Sequence, residues 1–377
     1  MKLFLILSLT LLSVFTYGQP ILPIEQGVTL AQIKNKNKIE TLLVIADNGS
    51  SIKAINLSQL YSNNDDMINL YQSIGYNNLI KVPLKHANQI KSYAMDDLLS
   101  PAGDNNHHVA LGLNYRKHAN EVEAKQQPFL FAKATKATRS EDISVSPKEL
   151  LDYEIELCAR PLASFNAVPE KNMPAFGFFI CGDFTDRAKL LKNIDVDNLQ
   201  SGRGFSGAKS KRSYFPTGPY LVITQNWQDF IDSTRLTLKL NGQLKQDALG
   251  KEMIWPLSTI LEKTWQHSLK NQPTHSERVT SLLPNNLISP DMVFLTGTPE
   301  GVMFRPPGIG FKISTALKYT LMGKFFDTEL TCYVIEQYSQ KLLAEKNMLQ
   351  PGDKLTLSGS YLGKLSINII ATPTKTL

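Results

Sequence analysis

Cysteine is scarce in this chain. There are three, Cys158, Cys181 and Cys332, and an odd, low count does not make a disulfide framework. Their spacing to histidine does not match a zinc site. Cys158 and Cys181 sit in apolar, strand-like runs, where a free cysteine behaves as a small buried hydrophobe. That is the expectation here, with a Cys158–Cys181 bridge as the alternative. Lys/Arg clusters are also missing. The net charge of +6 over 377 residues is mild and spread out, which argues against nucleic acid as the partner. No repeat, low-complexity tract or Walker spacing is present, and no apolar run after the first dozen residues could span a bilayer. What is left is the composition of an ordinary globular protein.

That first run does carry a signal. Lys2 precedes an apolar core over residues 3–12, too short for a comfortable membrane span, and Thr16-Tyr17-Gly18 places small residues at −3 and −1. The pattern predicts a signal peptide over 1–18, a mature start at Gln19 and an exported (periplasmic or secreted) protein with no stable membrane insertion after cleavage. Residues 19–37 read as irregular. Thr41–Ala46 reads as a strand closed by Asn48-Gly49, and helical periodicity follows around Met67–Tyr71. Residues 19–105 form a small N-terminal α/β unit. The breaker-rich link 101–106 sets the boundary of a second unit, 106–377, in which strands dominate. The expected class is α+β and β-rich. Residues 201–213, rich in Gly, Ser, Lys and Arg, read as a flexible surface loop. Residues 309–349 read as an insertion able to supply extra strands, a lid or a dimer contact.

The second unit holds the chemistry-bearing residues. Asp152-Tyr153-Glu154-Ile155-Glu156-Leu157 puts two carboxylates at i and i+2 in a β-favouring run, so Glu154 and Glu156 share a face and repel each other. A hard divalent cation between them would remove that repulsion. Asp183 stands where the apolar run Phe176–Gly182 ends. His118 and Glu121 at i, i+3 touch if their segment is helical, and a carboxylate on an imidazole prepares a general base. Lys133 ends the apolar strand after Pro128, as a cation reaching solvent or held over a site. The Gly297-Thr298-Pro299 turn offers exposed N–H groups and a hydroxyl.

Taken in order, these motifs resemble the fumarylacetoacetate hydrolase family. The resemblance rests on Gly112-Leu113-Asn114-Tyr115 with His118 and Glu121, on Tyr153-Glu154-Ile155-Glu156, and on Gly182-Asp183-Phe184-Thr185-Asp186-Arg187. It continues through Lys209…Pro216-Thr217-Gly218-Pro219, Leu240-Asn241-Gly242, Leu295–Val302 and Pro351-Gly352-Asp353. It implies a mixed β-roll for 106–377, a likeness to homodimers, and Mg²⁺ (or Mn²⁺ or Ca²⁺) held by Glu154, Glu156 and Asp183. It also implies a His118–Glu121 base with Lys209 and Lys133 as site lysines, and substrate contacts from Arg187, Thr298, Gly297 and Tyr115. The implied activity is cleavage of a C–C bond in a β-diketo or oxo acid by activated water, with decarboxylation or isomerisation as related outcomes. The alternative is a non-catalytic exported relative that binds an anionic small molecule or a partner. Three departures stand out. Gly182 replaces the usual Asn, Ala188 replaces a second acid, and Lys211-Arg212 stand where an aromatic and an acid are usual. That last departure predicts a more cationic substrate mouth.

Overall fold

The computed structural model describes residues 20–373, except 64–65, 140–141, 171–174, 196, 271–281 and 284–286. The leader over 1–18 lies outside the described residues. Among the described residues, no helix is long and apolar enough to cross a membrane.

One long sheet runs in the spatial order Lys91–Ala94, Ser51–Asn56, Lys38–Asp47, Gly27–Asn35, Leu221–Thr224, Phe176–Gly182, Ile155–Pro161, Phe294–Leu295, His108–Gly112, Phe129–Lys133. Neighbours on this path are antiparallel except Phe294–Leu295 with His108–Gly112. Residues 27–35, read as irregular from sequence, form the strand that joins the leading unit to the rest. Leu30 pairs with Leu221 on one side and Leu43 on the other. Val28, Leu30 and Ala31 are fully buried there, so tertiary pairing decides the conformation of a stretch whose local signal is weak. Residues 27–56 therefore add strands to the same sheet that carries Glu154, Glu156 and Asp183.

A second sheet, ordered Gln243–Leu249, Arg235–Leu240, Lys354–Gly359, Gly363–Ala371, Ile143–Val145, packs on the first. Its alternation is clean: Leu355 and Leu357, like Leu365, Ile367 and Ile369, point inward at every second position. They meet Ile155, Leu157, Phe178 and Ile180 in one apolar core. The opposite face of the Ile155–Pro161 and Phe176–Gly182 strands carries Cys158, Phe179 and Cys181 into a second cluster. Glu154, Glu156 and Cys158 share this parity, so the pleat turns both carboxylates away from the inter-sheet core.

On that face the cysteines correct the sequence expectation. Cys158 and Cys181 form a disulfide, with Cα atoms 6.1 Å apart on adjacent antiparallel strands. An odd total misled because it includes Cys332, which is exposed on a distant helix. Residues 201–213 are corrected too. They contain a short helix, Phe205–Lys209, whose Phe205, Ala208 and Lys209 are buried. Phe205 packs on Phe129 with ring centroids 4.8 Å apart. The 309–349 segment contributes no strand. It is a helical hairpin, Ile309–Leu321 and Leu330–Glu345, joined through a short 3₁₀ turn at Lys324–Phe326.

A thiol titration of the unfolded, unreduced protein is expected to count one cysteine, Cys332, and three after reduction. Three thiols before reduction would contradict it.

Candidate active site

The site is assembled where strand ends meet two short helices. Glu154 precedes the Ile155–Pro161 strand, and Asp183 follows the Phe176–Gly182 strand. Their backbones are tied by Asp183 N–H donating to Glu154 O at 2.9 Å. Gly182 fits this corner tightly, since a Cβ there would lie 2.8 Å from the Phe184 ring. Glu154, Glu156 and Asp183 are buried, and each offers an oxygen within 4.8 Å of the others.

Lys209 ends its helix inside this cluster. Its Nζ donates to Glu154 Oε2 at 2.7 Å and to Asp183 Oδ2 at 2.8 Å. Lys133 lies beneath. Its ammonium pairs with Asp183 Oδ1 and also donates to the carbonyls of Lys209 (2.6 Å) and Tyr214 (3.1 Å), which satisfies its three donors. Arg187 donates through Nε to Asp152 Oδ2 and through a terminal nitrogen to Glu154 Oε1, both at 2.9 Å. It does not pair with its neighbour Asp186, which instead caps the Arg187–Asn193 helix by accepting from Ala188 N. Gly297 N–H donates to Glu156 Oε2 at 2.7 Å.

The charges do not balance. Among the described residues, Asp152, Glu154, Glu156 and Asp183 are buried with Lys133, Arg187 and Lys209 as the buried Lys and Arg partners against them, one cation fewer than the acids when all four are ionised. Burial, then Asp183 and Glu154, push the Glu156 carboxyl well above the usual carboxylate range. Burial would do the same to Glu154, but Lys209, Arg187 and His118 together outweigh it and lower its pKa. Burial lowers Lys133. Lys209 also suffers burial, yet Asp183 and Glu154 hold it above its ordinary value. Glu156 Oε1 is buried without a hydrogen-bond partner. An orphaned carboxylate oxygen in an all-oxygen donor set fits a hard divalent cation, and Glu154, Glu156 and Asp183 are the residues that could hold it.

His118 is on the Arg116–Glu121 helix, as its spacing predicts, with Nδ1 2.9 Å from Glu121 Oε1. Glu121 does more than orient the ring. Its oxygens accept from Gly301 N (3.0 Å) and from Arg305 (3.0 Å), which pins the 301–305 loop beside the site. Gly301 adopts φ +104°, and a Cβ there would lie on Lys245 O, so only glycine suits this corner.

A cavity of about 830 Å³ opens above the cluster. Of the residues singled out from sequence, His118, Glu154, Arg187, Lys209 and Thr298 line it. Glu121, Lys133, Glu156, Asp183, Tyr115 and Gly297 do not. Lys133 is spent on Asp183 and two carbonyls, the Gly297 N–H is spent on Glu156, and Tyr115 is buried behind the site. Lys211 and Arg212, expected to make the mouth more cationic, do not line the cavity, although Lys125 and Lys312 do. Lys211 pairs with Glu149 at 2.6 Å and lies over the Tyr214 ring, away from the cavity wall.

Two further residues support the site without a clear signal of their own in the sequence. Asp152 accepts from Arg187, Met303 N and Phe304 N, tying the 301–305 loop to the carboxylate strand. Buried Gln246 accepts from Ile155 N and donates to Thr298 Oγ1 and Pro299 O. Asp152 could have been found as the acid opening the carboxylate run. Gln246 carries no local signal, because its partners lie 52 or more positions away.

Replacing Glu121 by Gln is expected to lower unfolding free energy by about 1–3 kcal/mol, the range for leaving buried donors poorly paired. Denaturant titration measures this; an unchanged midpoint would show that the 301–305 loop does not depend on Glu121.

The family model described as Fumarylacetoacetate (FAA) hydrolase C-terminal matches residues 107–370. An uncharacterized protein of Staphylococcus aureus strain USA300 is 26% identical over 213 residues, 55% of this chain and 62% of its own length. Fumarylacetoacetate hydrolase from psychrophilic Exiguobacterium antarcticum aligns over 92% of this chain and 100% of its own, with TM-score 0.57 and 18% identity. The 2-hydroxyhepta-2,4-diene-1,7-dioate isomerase from Mycobacterium marinum aligns over the same shares with TM-score 0.54 and 16% identity. At such identities the solved structures speak for the fold, which is mixed α/β and sheet-rich. The match over residues 107–370 speaks for the family: the chain belongs to the fumarylacetoacetate hydrolase family.

Proposed function

We propose that the protein is a divalent-metal-dependent hydrolase acting on a C–C bond of a β-diketo or oxo acid, of the acylpyruvate or fumarylacetoacetate type. The observation that carries this reading is the buried carboxylate triplet with its orphaned Glu156 Oε1, beside His118, which pairs with Glu121 and lines the cavity.

Glu154, Glu156 and Asp183 hold the ion, with Mg²⁺ the proposed species and Mn²⁺ or Ca²⁺ compatible with the same oxygens. When bound, the ion supplies Lewis acidity to a substrate carbonyl. The remaining work falls to side chains. His118 has Nδ1 committed to Glu121, which leaves Nε2 to take a proton from water. The hydroxide adds to the distal carbonyl carbon, the C–C bond breaks, and its electron pair leaves as an enolate that regains a proton. Lys209 and Arg187, on the cavity wall, offset the negative charge of enolate and carboxylate. Thr298 is a further contact, held in place by its own donation to Ile155 O at 2.9 Å. The same proposal includes export through the 1–18 leader and assembly as a homodimer. N-terminal sequencing of the exported protein and light scattering test these two parts.

The test is turnover of acylpyruvates, followed by loss of their enol absorbance, with and without chelator. Activity is expected to vanish in EDTA and return with Mg²⁺. His118→Asn is expected to lose roughly 10²–10⁴-fold in kcat while keeping metal affinity. Turnover indifferent to EDTA would refute the metal, and an active His118→Asn would refute the base.

Glu156 gives a second, sign-specific expectation. Its folded pKa is raised, by burial first, so its ionisation works against the metal-free fold as pH climbs from the ordinary carboxylate range toward that raised value. Without metal, Tm should fall over this interval, and Glu156→Gln should be the more stable protein at neutral pH. With Mg²⁺ the order should reverse, because the variant lacks a ligand. Calorimetric scans in EDTA and in Mg²⁺ would show this crossing; parallel curves would count against the assignment.

A further inference from the structure

The cavity is far larger than an oxo-acid head requires, and most of its wall is hydrocarbon. Its 830 Å³ lies high in the range of ligand pockets, roughly 300–1,000 Å³. His118, Glu154, Arg187 and Lys209 line it at the carboxylate cluster, while Glu123, Lys125 and Lys312 also line it, Lys312 from the hairpin and 3.8 Å from Glu123. Part of the apolar wall comes from the helical hairpin of 309–345. Ile313 and Ala316 line it from the first helix, and Leu330, Val334 and Ile335 from the second. These positions fall on one face of each helix, at i, i+3 and i, i+4, i+5.

The hairpin is fixed on the site, not loosely appended. Tyr338 and Leu342 of its second helix pack with Leu150 and Met348, and Ala188 closes against the same cluster. An acid at position 188 would put a charge into that contact, which gives the Ala188 departure a packing reason. Tyr338 donates to Arg305 O at 2.6 Å and its ring meets Phe304 edge-on. Phe304 in turn lies under the Arg187 guanidinium, 5.4 Å away. The hairpin wall and the residues around the carboxylates are thus one packed unit.

The apolar character continues to the surface. Ile313 and Leu330 line the cavity and are also 57% and 43% exposed, so they form its mouth. Along the first helix Ile309, Ile313, Leu317 and Leu321 recur every fourth residue and all are exposed.

From this we infer that the hairpin builds a tail pocket. The substrate class is an oxo acid whose acyl end is a long unbranched hydrocarbon chain, with the head at Glu154, Arg187 and Lys209 and the tail against Ile313, Ala316 and Val334. This rests on the reading of the site as one for oxo acids, and it adds the part of the molecule that the carboxylate cluster does not specify. Each methylene buried against this wall contributes about three- to fourfold in affinity, from the transfer free energy of one CH₂.

Two series test it in the protein with Mg²⁺. One is turnover of straight-chain acylpyruvates from the acetyl to the dodecanoyl member. The other is calorimetric binding of straight-chain alkanoates from hexanoate to dodecanoate, which needs no reaction. The expected result is a rise in kcat/KM and a fall in alkanoate Kd of about three- to fourfold per methylene until the pocket is full, and a flattened slope in both for Ala316→Trp. Acylpyruvates cleaved without chain-length preference would overturn the tail pocket and leave the oxo-acid reading standing. An alkanoate slope with no acylpyruvate turned over would uphold the pocket and sink the reading of the reaction. Alkanoate affinities that do not change with length overturn the pocket whatever the turnover.

Discussion

Asp152, Glu154, Glu156 and Asp183 face Lys133, Arg187 and Lys209 in a volume from which water is largely excluded. Buried charges are costly unless paired with good geometry, and removing one partner leaves the other uncompensated. The surrounding structure meets that demand in detail. Lys133 has all three donors occupied, Arg187 spans Asp152 and Glu154, and Gly297 N–H turns toward Glu156. With Glu156 ionised one negative charge is still in excess, and one carboxylate oxygen is still without a partner. A divalent cation would turn the excess of one negative charge into an excess of one positive charge. That is the balance a site needs to attract a mono-anionic oxo acid or to hold an enolate.

The scaffold explains why such a cluster can exist. Antiparallel pairing of Ile155–Pro161 with Phe176–Gly182 brings Glu154, Glu156 and Asp183 to one end of two central strands. The pleat sends Leu157, Phe178 and Ile180 into the core and leaves the other face for the site and the Cys158–Cys181 bridge. Cys181 stands opposite Glu156 in the pairing register. The bridge therefore ties together the two strands that carry the carboxylates, where strand separation would pull the ligand set apart.

Much of the site was legible because its parts obey short-range periods. Glu154 and Glu156 share a face by the two-residue repeat of a strand, and His118 reaches Glu121 by the turn of a helix. Asp183 was visible as the acid at the end of an apolar run. The family resemblance tied these local patterns into one order. What sequence hid depended on distance. Gln246 and Asp152 act through partners far along the chain, and Leu30 pairs with a strand near residue 221. The Gly- and Ser-rich composition of 201–213 suggested a solvated loop, but Phe205 and Ala208 bury against Phe129 and Phe131 and carry Lys209 inward. In 309–345 the apolar residues were plain, while their division between a cavity wall and an outer stripe depends on where Tyr338 docks.

The central claim is that the carboxylate triplet is a metal site and not merely a set of ion pairs. Anomalous diffraction from crystals soaked in Mn²⁺ tests this most directly. The account predicts one strong peak bonded to Glu154, Glu156 and Asp183, with Glu156 Oε1 among its ligands. Fully soaked crystals without a peak there, and with Lys209 still bridging Glu154 and Asp183 as it does now, would contradict it.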